Sequence, residues 1–227
     1  MFPGMDRFEV LLWAGYAVNL ISPAIPVSAM VFHHWSGRYA TPPWIRRLSL
    51  LLGYGLLVNW TLLGLALNHV RNAWLAAPAY LVESLLTLWV LRGVAPRRLP
   101  RLVMVPSIAV ILGTTAVDVF RIGVRGKWPI SETVTSFLLL ALCILALSVP
   151  SREDDETPAR DRPSFWLLGA WSLMLAFDLT FYPLHNVFLQ QLSREWILVP
   201  WFAKYVVGLI LNLVLARTFL CPKPSSS

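Results

Sequence analysis

Charge is scarce in this chain. Of 227 residues only 14% are charged, while 57% are hydrophobic. A soluble domain carries about 25% charged and about 45–50% apolar residues. Too few charges remain to coat a water-facing globule, which excludes a soluble enzyme, a disordered chain and a nucleic-acid-binding domain. Long polar intervals are lacking too, so no loop holds a soluble domain, and any chemistry sits in a bilayer or at its surfaces. Cysteine is nearly absent. Cys143 and Cys221 have no metal-ligand spacing and are not placed for an extracytoplasmic disulfide. The chain also lacks a HExxH pair, a GxSxG elbow and a GxxxxGK[ST] phosphate loop, which argues against an enzyme. No internal repeat points to a transporter of inverted halves.

What is present is a succession of apolar runs. A bilayer core of about 30 Å needs roughly 20 apolar helical residues to cross it. Seven stretches qualify, near 8–32, 48–69, 72–91, 102–122, 131–149, 165–187 and 197–220. The expected fold is therefore all-α, a single seven-helix transmembrane domain, with a mobile loop at 150–164 and a tail at 221–227. Helix is required because hydrocarbon satisfies no backbone hydrogen bond, and no barrel-like alternation is present. The first span lacks a basic leader segment and reads as an anchoring helix rather than a cleaved signal.

The net charge of +7 comes from Lys and Arg between the runs. Arg38, Arg46, Arg47, Arg92, Arg97, Arg98, Arg101, Arg152, Arg160, Arg162, Arg217 and Lys223 share one side. Arg7, Arg71, Arg121, Arg125, Lys127 and Arg194 share the other. The positive-inside rule then predicts an external N-terminus and a cytoplasmic C-terminus.

Ionisable residues inside spans are costly and are functional candidates by default. Asp178 lies nine residues from the outer end of the sixth span, and Lys204 seven residues into the seventh. At about 1.5 Å rise per residue these depths are roughly 13 and 10 Å, so the two are level and are expected to pair. Glu83 falls near the middle of the third span, flanked by Pro78 and Ser84. His69, Arg71 and Asn72 crowd the join between the second and third spans. Tyr182 and His185 stand a helical turn apart on the outer part of the sixth. Asp118, Arg121 and Glu132 are placed either to join them or to snorkel to the interface.

This distribution predicts an outward-facing polar cavity over an inner half of Leu, Val, Ala and Trp. Prolines 23, 26, 78, 106, 183 and 200 can kink the spans that open it. Asn19, Asn59 and Asn212 are expected to hydrogen-bond between helices, at about 1 kcal/mol each. Trp35, Trp44, Trp74, Trp128 and Trp196 fall at span ends, as interfacial anchors do. Adjacent His33 and His34 diverge by about 100° on a helix and cannot both face one ion. No metal or haem site is expected.

Asn72-Ala-Trp74, Tyr80-Leu-Val-Glu83-Ser-Leu-Leu, Pro163-Ser-Phe-Trp166 and Leu211-Asn212-Leu resemble a pattern in a group of uncharacterised bacterial seven-helix integral membrane proteins. That resemblance spans the second to seventh spans, implies a multi-pass protein of a bacterial inner membrane, and marks Asn72, Glu83, Trp166 and Asn212. A more local one is to microbial rhodopsins, on Ala203-Lys204-Tyr-Val-Val-Gly208-Leu-Ile-Leu, Arg71-Asn-Ala-Trp74 and Tyr182-Pro183. It implies retinal bound to Lys204 as a Schiff base. This chain has Asn72 and Ala73 where those proteins keep a counterion, and Pro200 four residues before the lysine, so Asp178 or Glu83 would have to serve.

The leading expectation is a protein that binds a small or lipidic ligand in the outer cavity, for sensing or transport. Glu83, Asp178, Lys204, His69, Arg71, Asn72, Tyr182 and His185 are its candidate residues, with no cofactor. The alternatives are an accessory subunit of a membrane complex, a retinal protein, and a membrane-embedded enzyme using Glu83. The partners expected are the bilayer, the ligand, and a membrane or cytoplasmic protein meeting the basic loops.

Overall fold

The computed structural model describes residues 7–37, 39, 41–68, 70, 72–97, 99–123, 129–148, 158–191 and 194–221, with the backbone alone for 7–8, 73, 159, 182–191, 194–198 and 201. The described residues form eight α-helices: α1 (Arg7–Ile21), α2 (Ala24–Ser36), α3 (Ile45–Leu67), α4 (Ala73–Val94), α5 (Arg101–Ile122), α6 (Pro129–Ser148), α7 (Pro163–Gln191) and α8 (Arg194–Arg217). No strand occurs among the described residues.

Among the described residues, six segments are long and apolar enough to cross a membrane: 9–36, α3, α4, α5, α6 and the 163–181 part of α7. The seventh expected span, 197–220, overlaps α8.

The first span, expected as one helix over 8–32, is instead two. Pro23 has no amide hydrogen and disfavours helical geometry at the residue before it, so the helix breaks at Ser22 and resumes at Ala24. The break is used. The Ser22 hydroxyl accepts a hydrogen bond from Asn212 Nδ2 of α8 at 2.8 Å. The helical segment also runs to Ser36, beyond the expected end, and stops where Gly37 takes a left-handed conformation (φ 61°) with its amide on His33 O.

Neighbour relations define a ring. The α1–α2 pair packs on α3, α3 on α4, α4 on α6, α6 on α7, α7 on α8, and α8 returns to α1 and α2. Helix α5 lies outside the ring against α4 and α6. The ring is tight where α8 meets α1, because a Cβ on Gly15 would come within 3.0 Å of the Tyr205 ring.

The two halves of the bundle differ. Away from the α3–α4 connection, Leu48, Leu51, Leu88, Leu91, Cys143, Leu167, Trp171 and Phe219 pack into the buried core. Trp44 belongs to that core at 7% exposure, so it is not the interfacial anchor expected, whereas Trp35 at 87% and Trp74 at 50% stay exposed. Trp128 and the side chain of Trp196 lie outside the described residues. Outer faces carry unburied Leu102, Phe120, Phe137 and Leu173, a surface suited to lipid.

Polar ties close this half. His33 Nδ1 meets Phe219 O at 2.8 Å, while His34 Nε2 turns to Ser49 Oγ at 3.2 Å, so the adjacent histidines face different partners. Trp166 donates to Arg160 O at 2.7 Å and holds the approach to α7. Cys143 is a core residue. Cys221 is also buried, and burial pushes its thiol up to about 11 against the opposing pull of Arg217.

Helix α4 comes close to the start of α3. A Cβ on Gly93 would lie 2.8 Å from Trp44 Cβ and 3.1 Å from the Arg47 guanidinium, which itself donates to Trp89 O at 3.0 Å. Gly93→Ala therefore overpacks this contact and is expected to cost about 1–3 kcal/mol. Gly53, with open space around it, is the control. Thermal unfolding in detergent should show Gly93→Ala melting below wild type and Gly53→Ala at or above it; equal melting temperatures would refute the close approach.

Candidate functional site

In the half nearer the α3–α4 connection the helices leave a half-open space between them. A cavity of about 190 Å³ lies between α3, α4, α6 and α7. Helix α4 presents Ala76, Ala79, Tyr80 and Glu83 to it. Their spacing of three, four and seven residues is that of a single helical face. Val58 and Leu62 of α3 form an apolar wall, Glu132 and Ser136 come from α6, and Asp178 from α7.

Small residues make the room. Alanines at 76 and 79 leave the α4 face shallow, and Pro78 removes one backbone hydrogen bond between them. The backbone is tied from behind, since the Tyr54 hydroxyl donates to Ala79 O at 3.2 Å. Tyr80 reaches across to α6, donating to Glu132 O at 3.1 Å and meeting the Ser136 hydroxyl at 3.1 Å. This link holds α4 and α6 apart at a fixed distance, with the cavity beside it.

Asp178 is neutralised. Lys204 Nζ of α8 stands 3.0 Å from its Oδ1, with both side chains about one-fifth exposed, at 21% and 22%. The same ammonium lies 5.2 Å from the Phe181 ring centroid, within reach of its π face. The level match read from span depths thus produces the expected pair, and it staples α7 to α8. Glu83 differs. Its carboxylate has no hydrogen-bond or ion-pair partner among the described residues, and its side chain is open to the cavity.

The remaining expected site residues are dispersed. Asn72 opens α4, and its side-chain amide donates to Leu62 O at 3.3 Å, closing the α3–α4 turn behind the cavity wall. His69 and Arg71 lie outside the described residues, and Tyr182 and His185 are described in backbone only.

Asp118, which either joins a cavity or snorkels in the sequence reading, does neither. It is fully buried between α5 and α6, where Oδ2 accepts the Ser131 amide at 2.7 Å and so caps α6 from a neighbouring helix. Thr115 and Ser131 hydroxyls pair beside it at 3.0 Å. Glu132 lines the cavity. Sequence reasoning missed Tyr80 and Ser136 as lining groups, although the Ala76–Ala79–Tyr80–Glu83 spacing carries the signal.

Among the described residues, no three His, Cys, Asp or Glu side chains are grouped to hold a metal ion. Compared with family models, curated proteins and solved structures, the chain matches none. The geometry itself therefore carries the functional argument: Asp178 paired with Lys204, Glu83 without a counter-charge among the described residues, Glu132 and the Tyr80 and Ser136 hydroxyls around a small space in an apolar bundle.

Removing one partner of a partly buried ion pair strands the other charge, whereas removing both does not. Asp178→Asn and Lys204→Met should each destabilise the protein, and the double variant should lose less than the sum of the two. The expected coupling is about 1–3 kcal/mol. A double-mutant cycle by reversible unfolding in mixed micelles reads it, and strict additivity would contradict a working pair.

Proposed function

We propose that this chain is a multi-pass membrane protein that binds a small polar ligand in the cavity between α3, α4, α6 and α7, in the service of sensing or transport. The observation that carries the reading is Glu83, an acidic side chain near the middle of a membrane-length helix, turned into open space and without a partner among the described residues. Such a group is costly in a bilayer, and its usual settlement is a counter-charge, a proton or a ligand.

In this proposal α8 crosses the membrane as the seventh span, giving an external N-terminus and a cytoplasmic C-terminus. Three features support that arrangement: the two-to-one excess of Lys and Arg on one set of loops, the apolar length of α8, and its packing against both α1 and α7. The cavity then faces outward, because its lining comes from the helix halves nearest the α3–α4 connection. The apolar core closes the cytoplasmic half. Asp178 and Lys204 set the wall that α7 and α8 share, and Asn72 braces the mouth.

The test is a native and a denatured mass spectrum of protein purified from its own host's membranes. A retained small mass, lost in Glu83→Gln, is the expected result. A mass that survives denaturation on Lys204 would replace this reading with a Schiff-base cofactor. A bare chain in both spectra, with Glu83→Gln indistinguishable from wild type in the host, would replace it with an accessory subunit.

A further inference from the structure

Beside the cavity stands a worked example of ammonium recognition. Lys204 brings a primary ammonium to a carboxylate oxygen of Asp178 at 3.0 Å and over the Phe181 ring at 5.2 Å. Carboxylate plus ring is the general chemistry by which proteins receive an ammonium group. Asp178 lines the cavity, and a second carboxylate, Glu83, opens onto the same space and, among the described residues, lacks the cation that Asp178 has.

Resting on the ligand-binding reading above, we propose that the ligand is a small primary ammonium ion. Its charge is received by Glu83 and its carbon skeleton by the wall of Val58, Leu62, Ala76 and Ala79.

Three features of the site fit this chemistry. The first is charge. With Asp178 neutralised by Lys204, a cation beside Glu83 completes a second pair, whereas an anion would be repelled and would leave Glu83 unpaired. The second is size. A cavity of about 190 Å³ is somewhat larger than the roughly 150 Å³ that encloses benzene, so it takes a skeleton of a few carbon atoms. The third is the division of its lining. The apolar wall lies on α3 and at the start of α4, and the acidic and hydroxyl groups lie on α4, α6 and α7. An amphipathic ion has one end for each.

The Tyr80 and Ser136 hydroxyls can take hydrogen bonds from the ammonium protons that Glu83 leaves free.

The experiment titrates the full-length protein in nanodiscs with n-butylammonium, n-butanol and n-butyrate by calorimetry. Wild type, Glu83→Gln and Ala76→Leu are compared, the last filling the cavity without touching a charge. The expected result is binding of butylammonium alone, weakened at least tenfold by Glu83→Gln and abolished by Ala76→Leu. Should Glu83→Gln fail to fold, the Ala76→Leu comparison and the three-probe selectivity still decide.

Butyrate or butanol binding that Ala76→Leu abolishes would overturn the ammonium class and leave the cavity reading standing. Butylammonium binding unchanged by Glu83→Gln would overturn the role given to Glu83. No binding by any probe would overturn the inference, and a bare chain in the native mass spectrum would then take the ligand-binding reading with it.

Discussion

Hydrocarbon offers no hydrogen bonds, and the architecture follows from that constraint. Every backbone group within the spans has to be satisfied along its own helix, which is why the described chain is helix joined by short turns. Side chains face the same demand with fewer solutions. Polar groups either tie one helix to another, as Asn212 does to Ser22 and Asp118 to the start of α6, or gather around an internal space. Asp178 belongs to both kinds, because its pair with Lys204 fastens α7 to α8 and its side chain lines the cavity.

Apolar side chains gain little from leaving lipid for protein, so packing quality takes over as the cohesive term between helices. The half holding Leu48, Leu88, Leu91, Leu167 and Phe219 is built for that, with Gly93 letting α3 approach α4 and His33 latching α2 to the segment after α8. The opposite half gives up packing for space. Alanines on α4 and the Tyr80 strut to α6 keep that space open. One end thus secures the ring while the other leaves a half-open space.

The sequence made much of this legible. Apolar run lengths located six helical segments long and apolar enough to cross a membrane, and a simple depth argument put Asp178 and Lys204 level, as their ion pair shows. Asn212 was identified as an interhelical bond, whereas the Asn19–Asn59 contact formed only at a long 3.5 Å. Other features depend on neighbours that a linear pattern does not show. Trp44 has the position of an interfacial anchor, yet the missing side chain at Gly93 admits it to the core. Asp118 sits at a span end like a snorkelling residue, but the free amides starting α6 happen to face it. Pro23 announced a kink without saying that α8 would bond into it. The lining roles of Tyr80 and Ser136 emerge only when α4 and α6 are placed side by side.

In the proposed reading the two halves of the bundle differ in kind, the cavity half hydrated and reachable from outside and the core half dry. Charged, membrane-impermeant thiol reagents on intact cells test it with Ala76→Cys in the cavity face and Leu88→Cys in the apolar half. The native background should be silent near pH 8, since Cys143 is buried and the Cys221 thiol is raised to about 11. The account predicts that Ala76→Cys reacts from the external side while Leu88→Cys does not. Labelling of Ala76→Cys only from the cytoplasmic side, or equal labelling of both positions, would contradict it.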